Sequence, residues 1–106
     1  MFTRIVTVRL KPNSAHQFSQ TIEKKVLPIL RNQKGFRDEV VLIASNEQEA
    51  IDMSFWDSRE QAEAYNNSKY AEVQRELNSL IEGAPKVQTY DVANSTAHKI
   101  AAQSAA

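Results

Sequence analysis

The sequence predicts a single α+β domain with the ferredoxin-like order β-α-β-β-α-β and an antiparallel sheet. Segments with the two-residue apolar alternation of strands are separated by segments whose apolar residues recur at three- and four-residue steps, as in helices. Glycine, proline and asparagine stand between these segments, where turns are expected. The length of 106 residues fits one domain.

The first strand and the first helix are predicted at residues 2–10 and 14–31. β-branched residues alternate along the strand. Ser14 with Gln17 has the spacing of a capping box, which predicts the start of the helix. Pro28 lacks an amide proton, so we expect it to kink or break this helix.

The second and third strands are predicted at residues 36–45 and 50–56, and they are expected to pair as a hairpin. Residues 40–43 are an unbroken apolar run, which is typical of a strand that is buried on both faces. The sheet is therefore expected to be covered on both sides.

The second helix is predicted to begin at Ser58, which forms another capping box. The run 66–68 (Asn-Asn-Ser) is expected to interrupt this helix, with Ser68 capping its continuation. Gly83 is expected to end the helix. Residues 86–93 then form the fourth strand.

Two helices can cover only one face of a four-stranded sheet. The apolar residues of the other face would form a large exposed patch, so we expect two copies to pack face to face as a homodimer. Residues 1–96 contain all the predicted elements and are expected to form the domain. Residues 97–106 are an Ala- and Ser-rich C-terminal tail, which is expected to be mobile or to fold over a partner subunit.

Composition argues against several classes of function. The 13 basic and 13 acidic residues balance, so no field attracts nucleic acid. No apolar run is long enough for a membrane span, and a cytoplasmic protein is expected. The chain has no cysteine, and its two histidines, His16 and His98, are far apart. No metal site is therefore expected.

Four local patterns together resemble the antibiotic biosynthesis monooxygenase (ABM) family over about residues 2–96. They are Gly35-Phe36, Phe55-Trp56-x-Ser58, Tyr65-x-x-Ser68 and the return strand that follows Pro85. The resemblance implies a dimeric α+β barrel. It also implies an activity found in members of this family, the oxidation of phenols or quinols by O2 without a cofactor.

Candidate site residues lie on the third strand, where Asp52, Ser54 and Trp56 share one face. The resemblance implies that Trp56 and the residue four positions before it act on the substrate. That earlier residue is an asparagine in the quinone-forming members and Asp52 here. Burial would raise the pKa of Asp52 and make it a general base toward a phenolic proton. The other interpretation is that Trp56 is a core anchor and Ser54 a small filler.

Tyr65 and Tyr70 flank the expected helix interruption and could direct their hydroxyl groups at a ligand. They could equally belong to the apolar stripe of the helix. We expect a cavity between helices and sheet, lined by Trp56 and Tyr65 and bordered by Asp52 and Tyr70.

Two classes of function fit these residues. One is a cofactor-free monooxygenase acting on a small electron-rich aromatic compound. The other is a non-catalytic dimeric module that binds a small apolar or aromatic molecule or serves a stress response. An isomerase or lactone-processing enzyme is a third class. A closed apolar cavity with Asp52 directed inward would favour an enzyme, and a filled core would favour the module.

Overall fold

The computed structural model describes residues 1–100 and confirms the α+β class and the order of elements. The four strands form one antiparallel sheet in the order β2-β3-β1-β4. The elements in chain order are β1 (Phe2–Leu10), α1 (Ala15–Thr21), a π-helical turn (Ile22–Val26), α2 (Leu27–Arg31), β2 (Phe36–Ile43), β3 (Glu49–Trp56), α3 (Arg59–Ser68), α4 (Tyr70–Leu77), a 3-10 turn (Asn78–Leu80) and β4 (Ile81–Asp91).

Pro28 is accommodated by a widened turn, and the helical path continues through it. The Leu27 N–H donates to the carbonyl of Ile22, five residues back, so the backbone before Pro28 is π-helical. The side chains that face the sheet stay buried along this whole segment: Phe18, Ile22, Val26 and Leu30. The capping box expected at Ser14 is absent, because the Ser14 hydroxyl lies 3.4 Å from the carbonyl of Pro12 and bonds no helix N–H.

The second capping box is present, but the expected helix interruption is displaced. The Ser58 hydroxyl accepts a hydrogen bond from the Gln61 N–H at 3.3 Å. The break between α3 and α4 falls at Lys69, which leaves the helical region at φ −121°. Ser68 does not cap α4, because its hydroxyl donates to the carbonyl of Ala64 at 2.7 Å within α3.

The last strand begins earlier than expected and contains Gly83, so the prediction that Gly83 ends the helix is wrong. Gly83 has φ +69° and lies where the pairing of β4 with β1 shifts between Thr7 and Arg9. A glycine is favoured at such a bulge. Pro85 follows it without disturbing the sheet, since β4 is an edge strand and needs no outward N–H donor.

The helices pack on one face of the sheet, which we call the helix face. Phe2, Val6, Val8 and Leu10 of β1 point into this core. The opposite face, called the open face, has no helix packed on it within residues 1–100, as expected for a face that a second copy would cover. Val40 is 39% exposed, Leu42 47% and Tyr90 48%. The open face also carries Ile5, Ile51, Met53 and Phe55, which are half-buried.

The end of the described chain turns back over part of the open face. Ser95 and Ile100 exchange two backbone hydrogen bonds of 2.7 Å. The His98 ring lies 4.8 Å from that of Phe55, and its Nε2 lies 3.6 Å from Asp38 Oδ2. His98 of the predicted tail therefore contacts the sheet of its own chain, and residues 101–106 lie outside the described residues. In residues 1–100, no helix has the length and apolar character to cross a membrane.

Candidate functional site

The strand register places four polar residues side by side on the helix face. Ser54 of β3 pairs with Arg4 of β1 on one side and with Glu39 of β2 on the other. Asp52, two residues before Ser54, lies on the same face one step along the strand. Three charged side chains and a hydroxyl therefore meet under the helices, in a position that apolar residues usually occupy.

A small, partly open cavity lies between this polar row and the helices. Its volume is about 30 Å³, which is room for one or two water molecules. The predicted residues Asp52, Ser54, Tyr65 and Tyr70 line it. The other lining residues are Arg4, Val6, Val8, Phe18, Leu30, Val73, Gln74, Leu77, Ile81 and Pro85.

Trp56 is not in the cavity wall, and this corrects the expected location of its side chain. Its ring is fully buried, and its indole N–H donates to the Ser54 hydroxyl at 2.9 Å. The Tyr65 ring stacks on it with centroids 5.1 Å apart, and Phe36 packs edge-on from the other side. Tyr65 therefore stands between the indole and the cavity. The roles proposed for all five residues remain predictions.

Asp52 and Glu39 form a pair of carboxyl groups close enough to share a proton. Burial raises the pKa of Glu39 to about 9, and the neighbouring Asp52 contributes to the rise. Burial also raises the pKa of Asp52, while the hydrogen bond from Glu39 and the charge of Arg4 oppose the rise. At neutral pH the pair therefore holds a proton, which the raised pKa of Glu39 and the hydrogen bond between the two carboxyl groups favour.

Three polar atoms at this site are buried without a hydrogen-bond partner: Asp52 Oδ1, Glu39 Oε2 and the Tyr70 hydroxyl. A buried acceptor without a donor costs free energy unless a water or a ligand satisfies it. Burial raises the pKa of the Tyr65 and Tyr70 phenols, so both stay protonated at neutral pH.

Arg4 is the least expected member of the group. It is only 3% exposed, and its Nη2 donates to Asn66 Oδ1 at 2.8 Å. Its guanidinium lies over the Tyr70 ring, with Cζ 4.4 Å from the centroid, and 5.3 Å from the Tyr65 centroid. Within residues 1–100, no carboxylate comes close enough to Arg4 to form a salt bridge.

Two of these residues were missed in the sequence for different reasons. Arg4 interrupts the apolar face Phe2, Val6, Val8, and that interruption was a usable signal. Glu39 gave no such signal. Phe36 pairs with Trp56 and Glu39 with Ser54, so β2 uses three steps where β3 uses two. This irregularity turns Glu39 onto the helix face, against strict alternation.

The arrangement offers a carboxylate that can accept a proton, a cation that can stabilise an oxyanion, and aromatic walls that exclude water. Proton transfer to a buried carboxylate is favoured when its pKa is raised toward neutrality. Within the described residues, no group of three His, Asp or Glu side chains could hold a metal ion.

Comparisons with known proteins place this geometry in context. The family model for antibiotic biosynthesis monooxygenases matches residues 1–85. No curated protein matches significantly.

Several solved structures share the fold. The monooxygenase from the ActVA-Orf6 gene of Streptomyces coelicolor, solved with nanaomycin D, is 19% identical, with 89% of this chain and 88% of that chain covered and a TM-score of 0.77. The cofactor-independent oxygenase SnoaB of Streptomyces nogalater is 9% identical, with coverages of 90% and 95% and a TM-score of 0.74. A putative antibiotic biosynthesis monooxygenase of Bordetella bronchiseptica is 11% identical, with coverages of 86% and 95% and a TM-score of 0.74.

At these identities the structures establish the fold alone, whereas the family model spans most of the chain. The earlier resemblance is thereby confirmed, and this chain belongs to the antibiotic biosynthesis monooxygenase family.

Proposed function

We propose that the protein is a cofactor-independent monooxygenase that oxidises a small electron-rich aromatic compound, a phenol or quinol, with O2. One observation carries the proposal. The Asp52 Oδ1 atom is buried and accepts a hydrogen bond from no N–H or hydroxyl group of the described residues, and Asp52 lines a small, mostly apolar cavity where a phenolic hydroxyl could donate to it beside Glu39. Membership of the family and the likeness to two named oxygenases support this choice.

A simple phenol would react with one O2 to give a quinone and one water. Asp52 accepts the phenolic proton, and the phenolate transfers one electron to O2, which gives superoxide and a phenoxyl radical. The two radicals combine at a ring carbon, and Asp52 returns its proton to the resulting peroxide anion. Loss of the ring proton and of hydroxide, together one water, then leaves the quinone. Arg4 stabilises the phenolate, since opposite charges attract strongly at low dielectric.

Substrate entry requires the cavity wall to move. A cavity that binds benzene in another protein has a volume of about 150 Å³, well above the 30 Å³ seen here. The wall contains Tyr70, which is half-buried, and Gln74, which is unbranched and flexible. Their displacement would enlarge the cavity at the start of α4.

The small cavity also favours a second candidate, a dimeric module that binds a small apolar or aromatic molecule without catalysis. A well-filled core needs no ligand. The Asp52 and Glu39 carboxyl groups would then serve a structural or regulatory role. The two candidates differ in one measurable respect, which is consumption of O2.

Oxygen uptake with a panel of phenols and quinols tests the proposal. We expect the wild type to consume O2 and Asp52→Asn to lose activity by a factor of about 10² to 10⁴, the range for a lost general base. Asp57→Asn is the matched control, because Asp57 is an exposed aspartate close in sequence, ion-paired with Arg37. Uptake by both variants at the wild-type rate would rule out Asp52 as the base. Ligand binding without uptake would favour the module.

We also propose that two copies associate through the open face. Within residues 1–100, only the segment 95–100 packs on this face, and apolar side chains such as Val40 and Leu42 stay exposed. Apolar surface of this kind on a strand face commonly marks an association surface.

A further inference from the structure

A second pocket lies next to the cavity, on the outer side of the part of the cavity wall that contains Arg4. This outer groove has a volume of about 260 Å³ and runs between α3 and the edge strand β4. It is lined by Phe2, Arg4, Arg59, Ala62, Glu63, Asn66, Val87 and Thr89. Among residues 1–100, Arg4 alone lines both the outer groove and the cavity.

The hold on Arg4 is weak for a buried cation. Its shortest side-chain hydrogen bond, 2.8 Å, goes to the neutral amide of Asn66, which is itself exposed, and its other close neighbour is the neutral phenol of Tyr70. A guanidinium has five N–H donors in a fork that matches a carboxylate. Arg4 therefore has N–H groups available for a ligand. No carboxylate of residues 1–100 forms a salt bridge with it.

The outer groove carries an excess of positive charge next to apolar surface. Arg4 and Arg59 both line it, against a single acidic residue, Glu63. Arg59 lies over the ring of Phe2 with Cζ 5.4 Å from the centroid, and it forms no salt bridge within residues 1–100. Val87, 40% exposed, provides an apolar wall. An anionic group attached to an aromatic ring fits this combination.

We propose that the cavity and the outer groove are two parts of one binding site for an aromatic carboxylate, with Arg4 binding the carboxylate between them. Because Arg4 lines both spaces, turning its side chain away from Asn66 would join the cavity of about 30 Å³ to the outer groove of about 260 Å³. The ring then lies near Asp52 and Tyr65, and the carboxylate lies between Arg4 and Arg59. Bidentate binding of a carboxylate by a planar guanidinium supplies the orientation.

This inference names the substrate class of the site proposed above and rests on that proposed function only for the location of the ring. It can be tested by binding alone. Trp56 is the single tryptophan of the chain and stacks on Tyr65, which lines the cavity, so its fluorescence reports occupancy. Calorimetry gives the affinity independently.

The experiment compares hydroquinone with 2,5-dihydroxybenzoate, which is the same ring with a carboxylate added. We expect the wild type to bind the benzoate about tenfold more tightly or better, and Arg4→Met to bind both within about twofold. Arg9→Met is the matched control, because Arg9 lies on the same strand but is exposed on the open side. It should keep the preference.

Folding of each variant is checked by thermal unfolding. If Arg4→Met does not fold, Arg4→Gln, which keeps a polar side chain, should lose the preference in the same way. Equal affinity of the wild type for both compounds would overturn the proposal, and so would a preference that survives the loss of Arg4. Absence of O2 uptake with an intact preference would count against the oxygenase alone. Uptake without the preference would count against this inference alone.

Discussion

The indole N–H of Trp56 donates to the hydroxyl of Ser54 at 2.9 Å, although the two residues are only two positions apart on one face of β3. The one polar atom of the indole is therefore satisfied inside the protein. With Tyr65 stacked on it and Phe36 at its edge, Trp56 has the surroundings of a core anchor.

Removing the indole should mainly cost stability. We expect Trp56→Ala to lower the free energy of unfolding by about 3–5 kcal/mol, the range for large aromatic truncations in a core. Ser54→Ala should cost about 1–3 kcal/mol, because it leaves the buried N–H without an acceptor. Urea unfolding followed by circular dichroism measures both. A Trp56→Phe variant that loses ligand affinity while keeping its stability would instead return Trp56 to the site.

Stability should fall as the pH rises from about 4.5 toward 9, because of Glu39. Its pKa is raised to about 9 in the folded state, so the folded protein binds more protons than the unfolded chain over this interval. The slope for one group is at most about 1.4 kcal/mol for each pH unit. Glu39→Gln should flatten the profile, measured by urea unfolding at several pH values.

Glu63→Gln is the control for this profile, since Glu63 is exposed and should leave the slope unchanged. A wild-type profile that is flat or rises with pH over this interval would show that Glu39 does not keep its proton. The free energy of unfolding of Asp52→Asn, measured against pH in the same way, tests whether Asp52 and Glu39 interact. Without the neighbouring carboxylate, the Glu39 pKa should drop and part of the slope should disappear.

The two glycines should respond differently to alanine. Both have positive φ, +85° at Gly35 and +69° at Gly83, and an alanine there costs about 1–2 kcal/mol in backbone strain. At Gly83 a Cβ atom meets nothing within 4 Å, so only this strain is expected. At Gly35 a Cβ atom would lie 2.8 Å from the Cβ of Gln61. Gly35→Ala should therefore be the more destabilising variant in thermal unfolding, and equal losses would contradict the contact.

A charge on the open face should separate the proposed dimer. We expect sedimentation of the wild type at micromolar concentration to give about twice the chain mass, and Leu42→Glu to give a folded monomer, because burying an unpaired charge is costly. Val87→Glu is the matched control. Val87 is similarly exposed but pairs with Val6 on the helix side, so the dimer should persist. A wild type that sediments as a monomer would refute the association.

The fold was readable from the sequence because its signals are local. Alternation defined β1 to the residue, and the Ser58 capping box marked the start of α3. Two failures came from alternative local hydrogen bonds, and a third came from nonlocal strand pairing. Ser14 and Ser68 have the composition of caps, yet each hydroxyl turns to a nearby carbonyl instead. Gly83 looked like a helix end because its bulge exists only through pairing with β1.

The site was less readable than the fold. Asp52, Ser54, Tyr65 and Tyr70 were brought to one cavity, since strand alternation and helical spacing determine which way they point. Arg4 and Glu39 could be placed there only once the register of three strands was known. The position of Trp56 behind Tyr65 depends on how α3 packs, which no local pattern encodes.

The π-helical turn at Ile22–Val26 has a consequence for how this segment should be compared between relatives. An α-helix advances about 100° per residue, so positions four apart drift steadily around its axis. The wider turn cancels that drift and keeps Phe18 and Leu30, twelve positions apart, against the same sheet. The π-helical turn contains one residue more than an α-helical turn over the same height. Deleting Lys24, an exposed residue of the turn, would place Leu30 eleven positions from Phe18, and eleven steps of about 100° in an ordinary helix keep both side chains on the face that meets the sheet. A one-residue alignment gap at this turn is therefore compatible with an unchanged buried face, whereas a one-residue gap elsewhere in the helix would rotate that face by about 100°.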